Sequence, residues 1–249
     1  MNLTNIIATR DTKTIYRDGD KKIKLFRPGY LKSDVLNEAL NQARIEEVDL
    51  NTPKLLEVTM INDQWAIVSE YIEGKTLSEL MEENPERMNE YIDYFVDLQI
   101  KIHSQKCPLL TKLRDKMFRK ISLTDFDLNI KFELQTHLDG MPRHNKVCHG
   151  DFRPDNVIIT PDGVPYIIDW SHVTQGNASA DVARTYLISI LLDKKEMAEY
   201  YIKSFCAKTN TERKYVEKWL RIVAASQSVK GNTEEREFLE RIVDVVEYK

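Results

Sequence analysis

The chain has 249 residues, with 36 Lys+Arg against 40 Asp+Glu and a formal net charge of −4 when histidines are neutral. That near balance argues against a broadly basic nucleic-acid binder. A content of 42% hydrophobic and 31% charged residues excludes a disordered chain and fits a folded protein of about one or two domains.

Short β-branched or apolar runs separated by turn residues open the chain: KTIYR, then Asp18-Gly19-Asp20, then KKIKLF, a pattern that signals a hairpin. After Pro28-Gly29 the period changes. Leu31, Val35, Leu36, Leu40 and Ala43 fall on one face of a helix that ends before Pro53. Two more strand-like runs, LLEVTMI and QWAIVSEYI, are joined by Asn62-Asp63. The N-terminal third is therefore a small antiparallel sheet with one helix. From Thr76 the pattern is helical, most clearly in the stripe Met88, Tyr91, Ile92, Phe95, Leu98 and Ile102, and again over residues 109–120, 125–138, 179–192, 194–208, 211–229 and 234–246. One segment interrupts it: in KVCHGDFRPDNVIITPDGVPYIIDW, apolar β runs flank a polar loop, and Pro161-Asp162-Gly163 makes a hairpin turn. The expected class is α+β in two lobes: a sheet lobe over residues 1–69, a hinge at 70–75 where the last strand gives way at Gly74, and a mainly helical lobe over 76–249.

No apolar run approaches the roughly 18 residues needed to span a bilayer, and MNLTNIIATRDTK lacks the basic-then-apolar layout of a secretory signal. A cytoplasmic setting with no membrane or nucleic-acid partner is expected. Cys107, Cys148 and Cys206 are odd in number and form no C-x-x-C, which favours reduced, buried thiols.

Chemistry concentrates in the interrupting segment. Asp151 and Asn156 are five residues apart on a loop, and Asp169 follows thirteen later at the end of a strand. Three oxygen-bearing side chains converge if the hairpin folds back. Hard oxygen donors, few in number, suit Mg²⁺ when phosphates and waters complete its shell. The two aspartates then need different tasks, one at the metal and one at a proton. Cys148 beside His149 is no nucleophile–base pair, since neighbours on a strand point to opposite faces.

HGDFRPDN followed by YIIDW resembles the catalytic loop and metal-binding strand of the aminoglycoside phosphotransferase and choline kinase-like families, which share the protein-kinase-like fold. The likeness extends to Lys24 in KIKLF followed by Glu38 on a helix, to SEYIEG at the hinge, and to GNASADVART after the metal strand. The resemblance implies that Asp151 is the base or orienter of the acceptor hydroxyl, and that Asn156 and Asp169 hold Mg²⁺. It also implies that Lys24, paired with Glu38, contacts the α/β-phosphates and that Arg153 faces the transferred phosphoryl group. Adenine would hydrogen-bond the backbone of Glu70 and Ile72, with Ser69 behind it. The resemblance further implies that His149 braces the metal strand and that Asp181 caps or pins the catalytic loop from a helix start.

Two departures stand out. The stretch IIATRDTKTIY has no glycine where the family carries a glycine-bearing turn, leaving Arg10, Thr12 and Lys13 as side-chain substitutes. Only eleven residues separate Asp169 from Asp181, with no D-F-G or A-P-E, which leaves little room to dock a peptide. Trp170 is followed by Ser171 and His172, not by the glutamate usual in choline kinases, which favours the aminoglycoside phosphotransferase branch. The expected function is Mg²⁺-dependent transfer of the γ-phosphoryl of ATP or GTP to a hydroxyl of a small molecule. Asp193, Glu196, Glu199, Tyr200 and Tyr201 are candidates to attract a cationic acceptor, against an ordinary solvated helix. A nucleotide-binding regulatory module and an atypical protein kinase are the alternatives, and the oligomeric state stays open.

Overall fold

The computed structural model describes residues 1–229 and 233–244, so the last residues of the helix expected at 234–246, and of the lobe expected to end at 249, lie outside the described part. In chain order the strands β1 (Ile6–Arg10), β2 (Lys13–Asp18) and β3 (Lys21–Phe26) precede helix α1 (Lys32–Ile45), which is followed by β4 (Leu55–Ile61), β5 (Gln64–Glu70) and β6 (Lys75–Thr76). Helices α2 (Leu77–Glu83), α3 (Met88–Ser104), α4 (Leu113–Ser122) and α5 (Leu128–Gly140) come next. Four short strands interrupt the helices: β7 (Lys146–Cys148), β8 (Val157–Ile159), β9 (Pro165–Ile167) and β10 (Thr174–Gly176). Then follow α6 (Ala178–Leu191), α7 (Lys195–Thr209), α8 (Arg213–Glu217), α9 (Leu220–Ser228) and α10 (Thr233–Asp244). The segment expected as one helix over 211–229 is thus two, broken between α8 and α9.

The chain packs as two compact units. One comprises Met1–Pro85 and Arg153–His172, and the other Glu86–Phe152 with the chain from residue 173 on. The first unit therefore runs past the 70–75 neck and takes in the β8–β9 hairpin.

In the first unit a five-stranded antiparallel sheet has the order β1-β2-β3-β5-β4. Its turns follow from local chemistry. Asp18 pairs with Lys21 around Gly19, which has φ 61°, and Ile61 pairs with Gln64 around Asn62 and Asp63, at φ 49° and 59°. Glycine, Asn and Asp are the residues that tolerate this left-handed conformation in a two-residue hairpin turn. Strand alternation then sorts the side chains. Ile23, Leu25, Ala66 and Val68 pack on one face with Leu3, Tyr16 and Ile61, while Phe26 and Ile67 pack on the other with Val35 and Ala39 of α1.

The face of α1 differs from the expectation. Leu31, Leu36 and Leu40 are exposed, and the buried residues are Val35, Ala39, Asn41 and Ile45. The sheet face opposite α1 carries buried Lys24 beside its apolar residues, so the helix turns inward a face that also bears Glu38, Asn41 and Gln42. Gln42 donates to Thr52 Oγ1 at 2.9 Å and Asn41 to the Ser171 carbonyl at 3.4 Å. A buried polar side chain needs such a partner and outranks a leucine for that position.

After β5, β6 pairs with β8 and β8 with β9 in a three-stranded sheet. Gly74 makes this possible, because a Cβ there would sit 2.3 Å from the Ile159 carbonyl oxygen. Thr76 then starts α2 with a reciprocal cap: its hydroxyl accepts from the Glu79 N–H at 3.1 Å, and the Glu79 carboxylate accepts from the Thr76 N–H at 2.7 Å.

The second unit is built around α3, whose buried stripe includes Ile92, Phe95, Leu98 and Ile102 as the 3.6-residue period predicts. Phe95 stacks on Phe152 with ring centroids 4.2 Å apart and also meets Tyr201, so the HGDF loop is anchored in the helical core by its aromatic residue. Strand β7 pairs with β10. Among the described residues, no helix is long and apolar enough to cross a membrane.

Candidate active site

In the first unit, Lys22, Lys24 and Phe26 share the α1-facing side of β3, because alternate residues of a strand point the same way. Lys24 is only 7% exposed. Its Nζ donates to Glu38 Oε1 and, at 3.3 Å, to Asp169 Oδ1, joining groups from β3, α1 and the segment after β9. Lys13 Nζ, from the start of β2, lies 3.9 Å from Asp169 Oδ2. Burial alone would lower the Lys24 pKa, but Asp169 and Glu38 outweigh it and hold the ammonium above its ordinary value. Burial would raise Asp169, yet Lys24, Lys13 and Lys22 keep it well below the usual carboxylate range. Both groups are therefore charged at neutral pH.

Asp169 sits at φ 61°, a left-handed conformation that costs a non-glycine residue about 1–2 kcal/mol. Its neighbours hold it there. Trp170 Nε1 bonds Thr52 Oγ1 and the Ile167 carbonyl, each at 3.0 Å, and Asn41 reaches Ser171. The β8–β9 register, Val157 opposite Ile167, places Asn156 across from Ile168 at the open end of the hairpin, where its carbonyl accepts from the Ile168 N–H at 3.0 Å. Asn156 is buried, one residue across from Asp169, on a 3₁₀ turn that Pro154 opens after half-buried Arg153. Near the end of β5, Ser69 is buried and lines the pocket that holds Lys22, Lys24, Glu38 and Asp169. The Glu70 N–H is committed to the Lys54 carbonyl at 2.9 Å, and Ile72 is half-buried.

In the second unit the loop His149-Gly150-Asp151-Phe152 is held by Asp181, near the start of α6. The buried Asp181 carboxylate accepts from the His149 N–H at 3.1 Å, the Gly150 N–H at 2.7 Å, His103 Nε2 at 3.0 Å and Gln99 Nε2 at 3.3 Å. An ionised carboxylate only accepts, so His103 Nε2 carries the proton. Burial would raise the Asp181 pKa, but the hydrogen bonds from His103 and from the Gly150 N–H bring it below the ordinary value. Gly150, at φ 79°, turns the chain. The His149 ring accepts the Asp151 N–H at Nδ1, 3.2 Å away, and Thr185 Oγ1 donates to the Phe152 carbonyl at 3.0 Å. Asp151 is thus a half-buried carboxylate on a loop fixed from both sides, able to orient a hydroxyl without reorganising.

Several participants escaped the sequence reading. Arg184 donates through Nε to the Gly150 carbonyl, through a guanidinium NH to Gln227 at 2.6 Å, and lies 3.9 Å from Asp151 Oδ1. Its spacing of three from Asp181 on one helix was the available signal. Gln99 and His103, four apart on α3, carried no signal beyond helical periodicity.

Of the acceptor candidates around α7, Asp193 and Glu196 are exposed, and the other three are engaged elsewhere. Tyr201 is fully buried against Gln99, Tyr200 donates to Asp93, and Glu199 pairs with Arg213 at 2.7 Å and accepts from Tyr186. Positive charge, hydrogen bonding and core packing occupy these three. Cys148 is buried and its thiol pKa is raised, by burial first and then by Asp181, so it is no nucleophile.

Comparison with solved structures sets the class. A thermostable mutant of aminoglycoside phosphotransferase APH(4)-Ia in its apo form matches with a TM-score of 0.70 and 14% identity, over 96% of this chain and 92% of that one. Choline kinase LicA from Streptococcus pneumoniae matches with a TM-score of 0.66 and 15% identity, over 97% and 93%. An aminoglycoside-3'-phosphotransferase of type VIII gives 0.66 and 17%, over 89% and 93%. At such identities the likeness is one of fold, and the fold is the protein-kinase-like α+β architecture. The family follows from the sequence: the model of the phosphotransferase enzyme family matches residues 9–215, and the chain belongs to that family. A search of curated proteins gave no match.

Proposed function

We propose that the protein is a Mg²⁺-dependent small-molecule kinase that transfers the γ-phosphoryl of ATP or GTP to a hydroxyl. The observation that carries this reading is the Lys24 ammonium bridging Glu38 and Asp169, buried and charged, in a chain of the phosphotransferase enzyme family. Lys24 would hold the α/β-phosphates, with Glu38 fixing its rotamer, and Asp151 would orient and deprotonate the acceptor hydroxyl as it attacks the γ-phosphorus. Arg153 would balance charge on the transferred group. The base would be read by the Glu70 carbonyl and by Ile72, with Ser69 behind, around a hinge at 70–75. A related fold, APH(4)-Ia, was solved with AMP-PNP and hygromycin B, which supports a nucleotide co-substrate and a small acceptor.

Asn156 and Asp169 suit Mg²⁺, because two oxygen donors, one anionic and one neutral, leave the rest of the shell to phosphates and water. Bound there, the ion would neutralise phosphate charge and align the leaving group. A setting that supplies nucleotide and Mg²⁺ and keeps thiols reduced fits the cytoplasm, consistent with three free cysteines.

The test is Mg²⁺-dependent nucleotide consumption by wild type and Asp151→Asn, with ATP and GTP, across aminoglycosides, amino alcohols, sugars and nucleosides. Turnover with at least one acceptor, lost in the variant, is expected. Nucleotide binding without turnover on any acceptor class would favour a regulatory module, and incorporation into peptides a protein kinase.

A further inference from the structure

Lys24 has two lysine neighbours, one lining its pocket and one at the edge of Asp169. Lys22, two residues earlier on β3 and opposite Ser69 of β5, lines the pocket with Lys24, Glu38 and Asp169. Lys13 reaches the same Asp169 from β2. Three ammonium groups therefore share two carboxylates, Glu38 and Asp169. Holding a partly buried cation without a counter-ion of its own is unfavourable. An excess of buried positive charge in a pocket marks a place where an anionic ligand completes the balance. The preceding turn bears on the same point. Arg10 pairs with Lys13 around Asp11-Thr12, neither of which has positive φ, so Cβ atoms stand where a glycine would let phosphate approach the backbone.

We propose that Lys13 and Lys22 join Lys24 in a three-lysine clamp for the triphosphate chain of the nucleotide, replacing the backbone N–H groups of a glycine-bearing turn. The clamp rests on the kinase reading and adds to it the phosphate-binding residues beyond Lys24. Its ligand chemistry is a linear polyphosphate, and the nucleoside part contributes separately through the hinge.

The experiment is calorimetric titration of wild type, Lys13→Met, Lys22→Met, Lys22→Arg and the control Lys21→Met with ATP, inorganic tripolyphosphate and adenosine, alongside thermal unfolding without ligand. Lys13→Met and Lys22→Met should each weaken ATP and tripolyphosphate about tenfold, the scale of one charge-assisted contact, and leave adenosine unchanged. Lys22→Arg should retain most of the affinity, and Lys21→Met all of it. Ligand-free Lys22→Met should melt no lower than wild type, since an under-compensated cation has been removed.

Unchanged tripolyphosphate affinity in both methionine variants would overturn the clamp. A Lys22→Met protein that melts lower or fails to fold would make Lys22 a structural cation, leaving Lys13→Met to decide for Lys13. Wild type that binds neither ATP nor tripolyphosphate would sink the clamp and the kinase reading together. Tripolyphosphate bound through these lysines without nucleotide turnover on any acceptor would keep the clamp and remove the kinase reading.

Discussion

Asp151 and Asp181 belong to one loop system and sit in different surroundings. Asp151 is half-buried, with the Arg184 guanidinium 3.9 Å from its Oδ1, whereas Asp181 is enclosed by four donors. Asp151→Asn should lower kcat about 10²–10⁴-fold, the range for losing a positioned proton acceptor, while nucleotide affinity measured by calorimetry stays within a few-fold. Asp181→Asn should act on stability instead. Its folded carboxyl lies below the ordinary 3.8, so the unfolded chain takes up this proton first as pH falls. The stabilisation is complete above 3.8 and is lost as pH drops through the lower folded value. We expect the asparagine variant to lose about 3–5 kcal/mol at neutral pH in urea unfolding and to show a flatter acid limb. An unchanged acid limb would mean that Asp181 is not the charged partner of His103.

The elements owe their ends and faces to particular residues. Gly74 lets β6 lie against β8, and Gly74→Ala would push a methyl onto the Ile159 carbonyl and Ile158 Cγ2, 2.3 Å and 2.8 Å away. A loss of about 1–3 kcal/mol by chemical denaturation is expected. Thr76→Ala should remove only the cap of α2, costing about 1 kcal/mol. Hairpins were legible in the sequence because Gly19 and Asn62-Asp63 carry their own turn conformation. The face of α1 was not. Counting leucines placed Leu31, Leu36 and Leu40 inward, but Glu38 and Asn41 needed buried partners on Lys24 and Ser171. Hydrophobic periodicity has no way to register a polar group that must be inside.

At the scale of the whole chain, stability and catalysis should respond differently to metal and nucleotide. No group of three or more His, Cys, Asp or Glu among the described residues is arranged to hold a metal by itself, so Mg²⁺ would arrive with the phosphates. A chelator should therefore abolish turnover and leave ligand-free thermal unfolding unchanged. Mg²⁺ and ATP at about 100 times the dissociation constant should stabilise the fold by about 2.7 kcal/mol, roughly 5–10 °C for a chain of this size. A chelator that lowers the melting point without nucleotide would instead reveal a structural ion. The sequence by itself determined the loop and the strand end, HGDFRPDN and IDW, the hairpin turns and the helical stripe of α3, because each depends on neighbours within a few residues. Only the tertiary structure decided that Asp169 joins Glu38 on Lys24, that Lys22 lines their pocket while Lys13 reaches Asp169, and that Gln99 and His103 close around Asp181. Those partners lie 14 to 156 residues apart along the chain, and what joins them is the need of a buried charge for a counter-charge or a hydrogen bond, a demand met across strands and helices and written in no local pattern.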